Sequence, residues 1–219
     1  MTDHFLRDPK KSRDSYEWIA PVYDALVGPV LKPVQESVCR IARDLGSRKI
    51  LDIAFGTGML VHALAENGFL AFGIDISPAM LSRAQVKKHP RAAFLLGNGE
   101  NLPFASESFD CVVLSLAMHE MKHSSAVQVT KDALRVLTSG GRLIVFDYRR
   151  GADVISRISL LMMHIPERIA GKRHFRNFKF FIKVGGFESI IGRFPLKVLS
   201  DQNYFGGAAA IVVSEKQDN

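Results

Sequence analysis

ILDIAFGTGML, residues 50–60, runs from a β-forming segment through an acid and a small-residue loop into the start of a helix. Gly56 and Gly58 can turn tightly where a Cβ would clash, and they let main chain lie directly against a ligand. The helix after Thr57 opens its first N–H groups onto the same spot, a seat for polar or negative ligand groups. A second β-forming segment, LAFGID (70–75), ends in Asp75, 17 residues past Gly58. An acid about 20 residues beyond such a loop is placed to take both hydroxyls of a ribose. As an alternative, an Asp at a strand end serves as a helix N-cap.

Working outward, Pro33 is expected to start an amphipathic helix with Val34, Val38, Ile41, Ala42 and Leu45 on one face, ended by Gly46. Strands are expected at Lys49–Ile53, Leu70–Ile74, Ala92–Leu96, Cys111–Leu116 and Arg142–Tyr148. Helices should lie between them: one to Asn67 stopped at Gly68, one opened by Ser77-Pro78, and one capped by a Ser125/Gln128 box. Cys111–Leu116 is a continuous apolar run, the pattern of a strand covered on both faces. Strands alternating with helices at this spacing predict an α/β, doubly wound, mostly parallel sheet. Phe187–Phe194 and Tyr204–Ser214, joined around Asp201-Gln202-Asn203, are expected to close it as an antiparallel pair, making seven strands in all. Residues 1–15 are polar and expected to fray, and 16–219 to form a single domain. In it, 16–46 is a helical cap and 149–184 a basic amphipathic insertion on the substrate side.

The 219 residues suffice for one well-buried core. No run reaches the ~18 apolar residues of a membrane span and the N-terminus is no signal peptide, so a cytoplasmic chain is expected. Cys39 and Cys111 both fall in apolar periodic segments, as reduced core residues do. The net charge of +7 is concentrated: Arg149–Lys183 holds nine Lys/Arg against two Asp/Glu, and the remainder is neutral.

Two readings of the glycine loop compete, a dinucleotide site and an S-adenosylmethionine site. In the GxGxxG frame the third small residue is replaced by Val61, which holds helix and strand too far apart for a pyrophosphate. The frame D-x-[G/A]-x-G-x-G is met by Asp52 to Gly58, with Ala54 in place of the first glycine. This resembles motif I of the class I S-adenosylmethionine-dependent methyltransferases. Three further segments resemble that family in order and spacing: GIDISPAML (73–81), GNGENLPFASESFDCVV (97–113) and LRVLTSGGRLIVFD (134–147). The departures are Ala54, Asn98 where an Asp is usual, and Thr138-Ser139 where Lys-Pro is common. Including WIAPVYD (18–24), the likeness spans residues 16–215 and is strongest to quinone-biosynthesis C-methyltransferases and bacterial phospholipid N-methyltransferases.

The resemblance implies S-adenosylmethionine as cofactor, held by residues just beyond the strand ends. Asp52 would prop up the Ala54-Gly56-Thr57-Gly58 loop, and Asp75 with Ile76 would hold the ribose. Met80 would pack near adenine, and Asn98, with Gly99 and Glu100, would take its amine through the amide oxygen. Ser115 and Leu116 either flank the methionine moiety or merely pack the strand end. Tyr23 and Trp18 are either a lid or core aromatics, and Tyr23 is also a candidate catalytic residue. His119, just past strand four, is a candidate general base or a substrate-shaping residue, with Asp147 and Tyr148 as weaker candidates for the base. No metal is expected, since no Asp/Asn cluster follows strands four and five.

The acceptor is expected to be small, and lipophilic or membrane-associated: a quinol carbon or a phospholipid amine. Alternatives are a soluble acceptor, or a regulatory protein that binds the cofactor without turnover. Ile155, Ile158, Leu161, Met162 and Ile165 form an apolar stripe fringed by Arg157, Arg168, Lys172 and Arg173, followed by HFRNFKFFIK (174–183). Such a segment either meets an anionic membrane or is a packed helix with a solvated basic face. Nucleic acid is disfavoured: Ser115-Leu116-Ala117-Met118 replaces the N/D-P-P-Y/F of base-amine methylases, and Cys111 lies mid-strand rather than at a nucleophile's position.

Overall fold

The computed structural model describes residues 20–151, 153–169 and 172–217, apart from the side chains of 20–23, 25–27, 30 and 162–169. The lid residues Trp18 and Tyr23, and Met162, Ile165 and Arg168 of the stripe, therefore lie outside the described residues or side chains.

Seven strands form one sheet in the order β3-β2-β1-β4-β5-β7-β6. They are β1 Lys49–Ile53, β2 Leu70–Asp75, β3 Ala92–Leu96, β4 Phe109–Ser115, β5 Leu137–Tyr148, β6 Leu196–Tyr204 and β7 Ala209–Lys216. All pairings from β3 to β5 are parallel, and β7 runs antiparallel to both β5 and β6. The expected doubly wound sheet with a C-terminal antiparallel pair is what forms. Its central strands are buried on both faces, which is why Val112, Val113, Leu114, Ile144 and Val145 follow one another without polar alternation. Strand order reverses between β1 and β4, so their carboxyl ends open the crevice in which such sheets bind ligands.

The helices are α1 Ala20–Asp44, α2 Met59–Glu66, α3 Pro78–Ala84, α4 His123–Val136, α5 Val154–Ile169, α6 Lys172–Lys183 and α7 Glu188–Ile191. Ser77 caps α3 as expected, its Oγ accepting the Met80 N–H at 3.1 Å, with Pro78 at the first turn.

Five expectations differ. α1 does not begin at Pro33 but runs through Pro29 and Pro33, where each proline removes one N–H donor. Burial of Val34, Val38, Cys39 and Ala42 sustains the helix beyond those losses. α4 starts at His123 rather than Ser125, because Gln128 does not reach back to a cap; its amide donates to the Glu100 carbonyl at 3.3 Å. β5 begins at Leu137, before the glycine pair, with an irregular register between Phe109 and Cys111 of β4.

At the C-terminus, 187–194 is no strand: Phe187, Ile190 and Ile191 are buried at helical spacing and form α7. Asp201-Gln202-Asn203 is strand, not turn, and pairs with Ala210–Val212. Arg149 holds it extended through Asp201 (2.8 and 2.9 Å) and Asn203 (2.6 Å), with Glu188 on its other side at 2.7 Å. The turn lies at Phe205–Gly207, where Gly206 and Gly207 take the positive φ it needs.

Candidate active site

The first turn past β1 is held by Asp75. Its Oδ2 accepts the Gly56 N–H at 2.8 Å and its Oδ1 accepts the Ser77 N–H at 2.9 Å, so the carboxylate of β2 fixes the loop of β1. A carboxylate has room for about four donors. Asp75 and the Gly56 bend it holds together line one cavity of about 270 Å³.

Asp52 behaves differently from expectation. The loop is propped by Asp75, while Asp52 Oδ1 is buried with no hydrogen-bond partner and Asp52 lines the same cavity. Burial, and then the nearby Asp75 charge, push its carboxyl well above the usual carboxylate range. A buried acid in this condition is matched to a cationic ligand group.

Of the loop residues, Ala54 (φ 63°), Gly56 (φ 59°) and Thr57 line the cavity. Gly58 has another role: a Cβ there would come within 2.8 Å of both Ala84 and the Phe94 ring, so its smallness lets α2 sit against its neighbours. Beyond β2, Ile76 and Met80 line the wall, Ile76 being 69% exposed although apolar. Beyond β4, Ser115, Leu116 and Ala117 line it, and Leu116 holds φ 50° with its N–H on the Phe146 carbonyl at 2.7 Å. Asn98, Gly99 and Glu100 are not among the lining residues. Asn98 Oδ1 accepts the Glu100 N–H at 3.0 Å, and a Cβ on Gly99 would meet Ile53 at 2.9 Å, so both shape the 97–101 turn.

His119 is 3% exposed and sits behind the cavity wall rather than on it. Its Nδ1 lies 2.7 Å from Asp147 Oδ1; a carboxylate only accepts, so Nδ1–H donates. Asp147 is fully buried and also takes the N–H groups of Met118 (2.8 Å), His119 (3.3 Å) and Tyr148 (2.7 Å). The rings of Tyr148, His174, Phe178 and Phe181 surround the imidazole at 4.9–6.3 Å between centroids. In the cavity itself stand Glu120 and Met121, together with Arg173 from α6 and Leu31, Val34 and Gln35 from α1. Glu120 and Met121 follow strand four directly and were open to sequence reasoning. Arg173 and His174, some 55 residues on, carry no local signal.

Cys39 and Cys111 are free and buried; burial lifts their thiols to about 11 and about 12, the opposite of the lowered value of an activated nucleophile.

A parallel sheet reversing at β1/β4, closed by an antiparallel β7 and carrying a glycine bend bonded to an acid beside one cavity, has the architecture of the class I methyltransferase fold. Residues 51–145 match the family described as "Methyltransferase domain". Over that stretch, which holds the glycine bend and Asp75, the chain is similar to that methyltransferase family. It is also similar to demethylmenaquinone methyltransferases. It is 33% identical over 147 residues to a demethylmenaquinone methyltransferase of Beutenbergia cavernae, covering 65% of this chain and 60% of that one. It is 36% identical over 106 residues to an uncharacterized methyltransferase of Synechocystis, covering 48% and 50%. The matched stretch thus spans about half to three-fifths of these relatives. Among solved structures, an O-methyltransferase family protein of Burkholderia thailandensis superposes with TM-score 0.69 at 15% identity, over 91% of this chain and 60% of that one.

Proposed function

We propose that the protein transfers a methyl group from S-adenosylmethionine to a small lipophilic acceptor that carries an ionisable hydroxyl, a quinol being the best fit. One observation carries the reading: Asp52, the Gly56 bend and Asp75 line one cavity together with apolar Leu31, Val34, Leu116 and Met121 and with Glu120 and Arg173. The demethylmenaquinone methyltransferases among the relatives favour the quinol over a phospholipid amine.

The residues present fit the cofactor, since the partnerless, buried Asp52 Oδ1 is matched by its ammonium group. Asp75 takes the ribose hydroxyls, and Ile76 with Met80 receives the adenine. Ser115 and Leu116 flank the methionine moiety, and Asn98 acts by shaping the turn beside them. When bound, the cofactor supplies a methyl group already activated by its sulfonium. The chain's part is to align the acceptor for an in-line displacement and to keep water out. Leu31 and Val34 of α1 and Met121 supply apolar cover on the acceptor side. The segment 149–184 forms the substrate side, because α6 brings Arg173 to the wall.

The same segment is the proposed membrane contact. α5 buries Ser156 and Leu160 and turns Ile155, Ile158 and Leu161 outward at 56–69% exposure, with Arg157, Lys172, Arg176 and Lys179 also exposed. An apolar face fringed by cations suits an anionic lipid surface from which a quinol is drawn. Among the described residues no helix is long and apolar enough to cross a membrane.

The test has two steps. S-adenosylhomocysteine should bind the wild type in isothermal titration, and Asp75→Ala should weaken it at least tenfold. Labelled S-adenosylmethionine should then methylate a short-chain quinol. Binding without turnover on quinols or lipid extract would support the regulatory alternative; absence of binding would end the assignment.

A further inference from the structure

His119, Glu120 and His174 each present a potential ligand atom, and these atoms lie within 4.8 Å of one another. The first two come from the turn after β4 and the third from the first turn of α6, so only the packing of α6 onto that turn assembles them. His174 Nδ1 and Glu120 Oε1 are 3.9 Å apart, too far for a hydrogen bond to each other.

The imidazole of His119 is held as metal-binding histidines are held. Its Nδ1–H donates to Asp147 at 2.7 Å, which leaves the lone pair of the ring on Nε2. Asp147 is itself locked by three main-chain N–H groups, so the ring's orientation is set before any ligand arrives. The His119–His174 ring centroids are 5.5 Å apart at 74°. Two imidazoles on one tetrahedral ion, each nitrogen about 2.0–2.1 Å from it, have centroids roughly 5 Å apart. Ligand atoms around such an ion stand about 3.3 Å from one another. The three must therefore close by an ångström or so, within reach of side-chain rotation at Glu120 and His174, which are both part-exposed.

We propose that His119, Glu120 and His174 form a binding site for a divalent first-row transition ion, with Asp147 as the positioning residue for His119. Two imidazoles and one carboxylate are the ligand set of ions such as Zn²⁺ and Fe²⁺, and three protein ligands leave a position open. Glu120 and Asp147 together balance the ion's two charges. Glu120 lines the cavity, so an ion held there would stand at its edge. The ion's role there rests on the methyl-transfer reading. Such an ion would lower the pKa of an acceptor hydroxyl, whose proton would pass to water; the methyl group would then leave the sulfonium for the acceptor's electron pair, and at a ring carbon the C–H proton would return to the oxygen as the ring regains aromaticity. The sulfonium becomes a neutral thioether, so atoms and charge balance.

The test uses the full chain, stripped with chelator and titrated with Co²⁺, following the d–d absorption, with bound Zn²⁺ counted by mass spectrometry. One ion per chain is expected. His174→Ala and Glu120→Gln should weaken binding at least tenfold, Glu120→Asp should restore part of it, and Asp147→Asn should weaken it ten- to hundredfold without changing the stoichiometry. S-adenosylhomocysteine is titrated into the same samples. A wild type that binds the nucleoside but no ion, or a His174→Ala variant that binds Co²⁺ as the wild type does, overturns the metal site alone. A wild type that binds Co²⁺ through these residues but no nucleoside keeps the site and overturns the methyl-transfer reading.

Discussion

Ala54 and Leu116 hold φ of 63° and 50° at the two strand ends that flank the cavity, a region that costs a residue with a Cβ about 1–2 kcal/mol. Main-chain bonds impose it: the Ala54 N–H is on the Ile74 carbonyl and the Leu116 N–H on that of Phe146. Ala54→Gly should therefore stabilise the protein by roughly 0.5–1 kcal/mol, about 1–4 °C in Tm, with S-adenosylhomocysteine affinity kept; calorimetry and titration check both. Asp52 gives a pH dependence. Its folded-state pKa lies above the unfolded one, so its contribution is intact below the ordinary carboxylate range and is lost as pH rises through the raised value. A cationic ligand group favours the ionised form, so cofactor binding should release a proton and tighten as pH rises. Titration in two buffers of different ionisation enthalpy reads that release, and Asp52→Asn should abolish it.

At the scale of elements, the loop from β3 to β4 is held to α4 by one ion pair with main-chain anchors. Arg135 bonds Asp132 at 2.6 Å and the carbonyls of Phe104 (2.8 Å) and Leu102 (3.0 Å), while Asp132 accepts the Leu102 N–H at 2.6 Å. The hydrogen bond from Arg135, more than any other group, holds the Asp132 carboxyl below its usual range. That contribution is present above the ordinary carboxylate pKa and is lost as pH falls through the lowered one. Arg135→Ala should cost about 1–3 kcal/mol in urea unfolding at pH 7, and its deficit should shrink toward pH 3. Equal deficits at both pH values would contradict this.

For the whole molecule, the exposed stripe of α5 is the feature that a solvated globule does not need. Burying Ile or Leu is worth about 1.5–3 kcal/mol each, and a Lys or Arg near an anionic surface about 1 kcal/mol. The protein should therefore sediment with phosphatidylglycerol vesicles at low salt, less so at 0.5 M salt (about three times the ionic strength at which the Debye length is ~8 Å), and weakly with neutral lipid. Ile158→Glu with Leu161→Glu should lower that binding at least tenfold and leave Tm unchanged, since neither side chain is buried. Binding that survives the double change would place the contact elsewhere.

The alternation of strand and helix, the glycine bend, Asp75 at its strand end and the Ser77-Pro78 start are all local patterns, and the chain carries them in plain order. Hydrophobic periodicity and turn chemistry act over a few residues, so the sheet and the loop at its centre were readable without coordinates. What a residue does once folded depends on what comes to lie beside it. Asp75 rather than Asp52 props the loop because β2 sets it beside Gly56. Asp201–Asn203 is strand because Arg149 reaches it from just past β5, and α5 turns Ile155, Ile158 and Leu161 outward because Ser156 and Leu160 are the residues that find a core to pack on. His174 joins His119 and Glu120 only where α6 folds back onto the turn after β4, a proximity that separation along the chain cannot express.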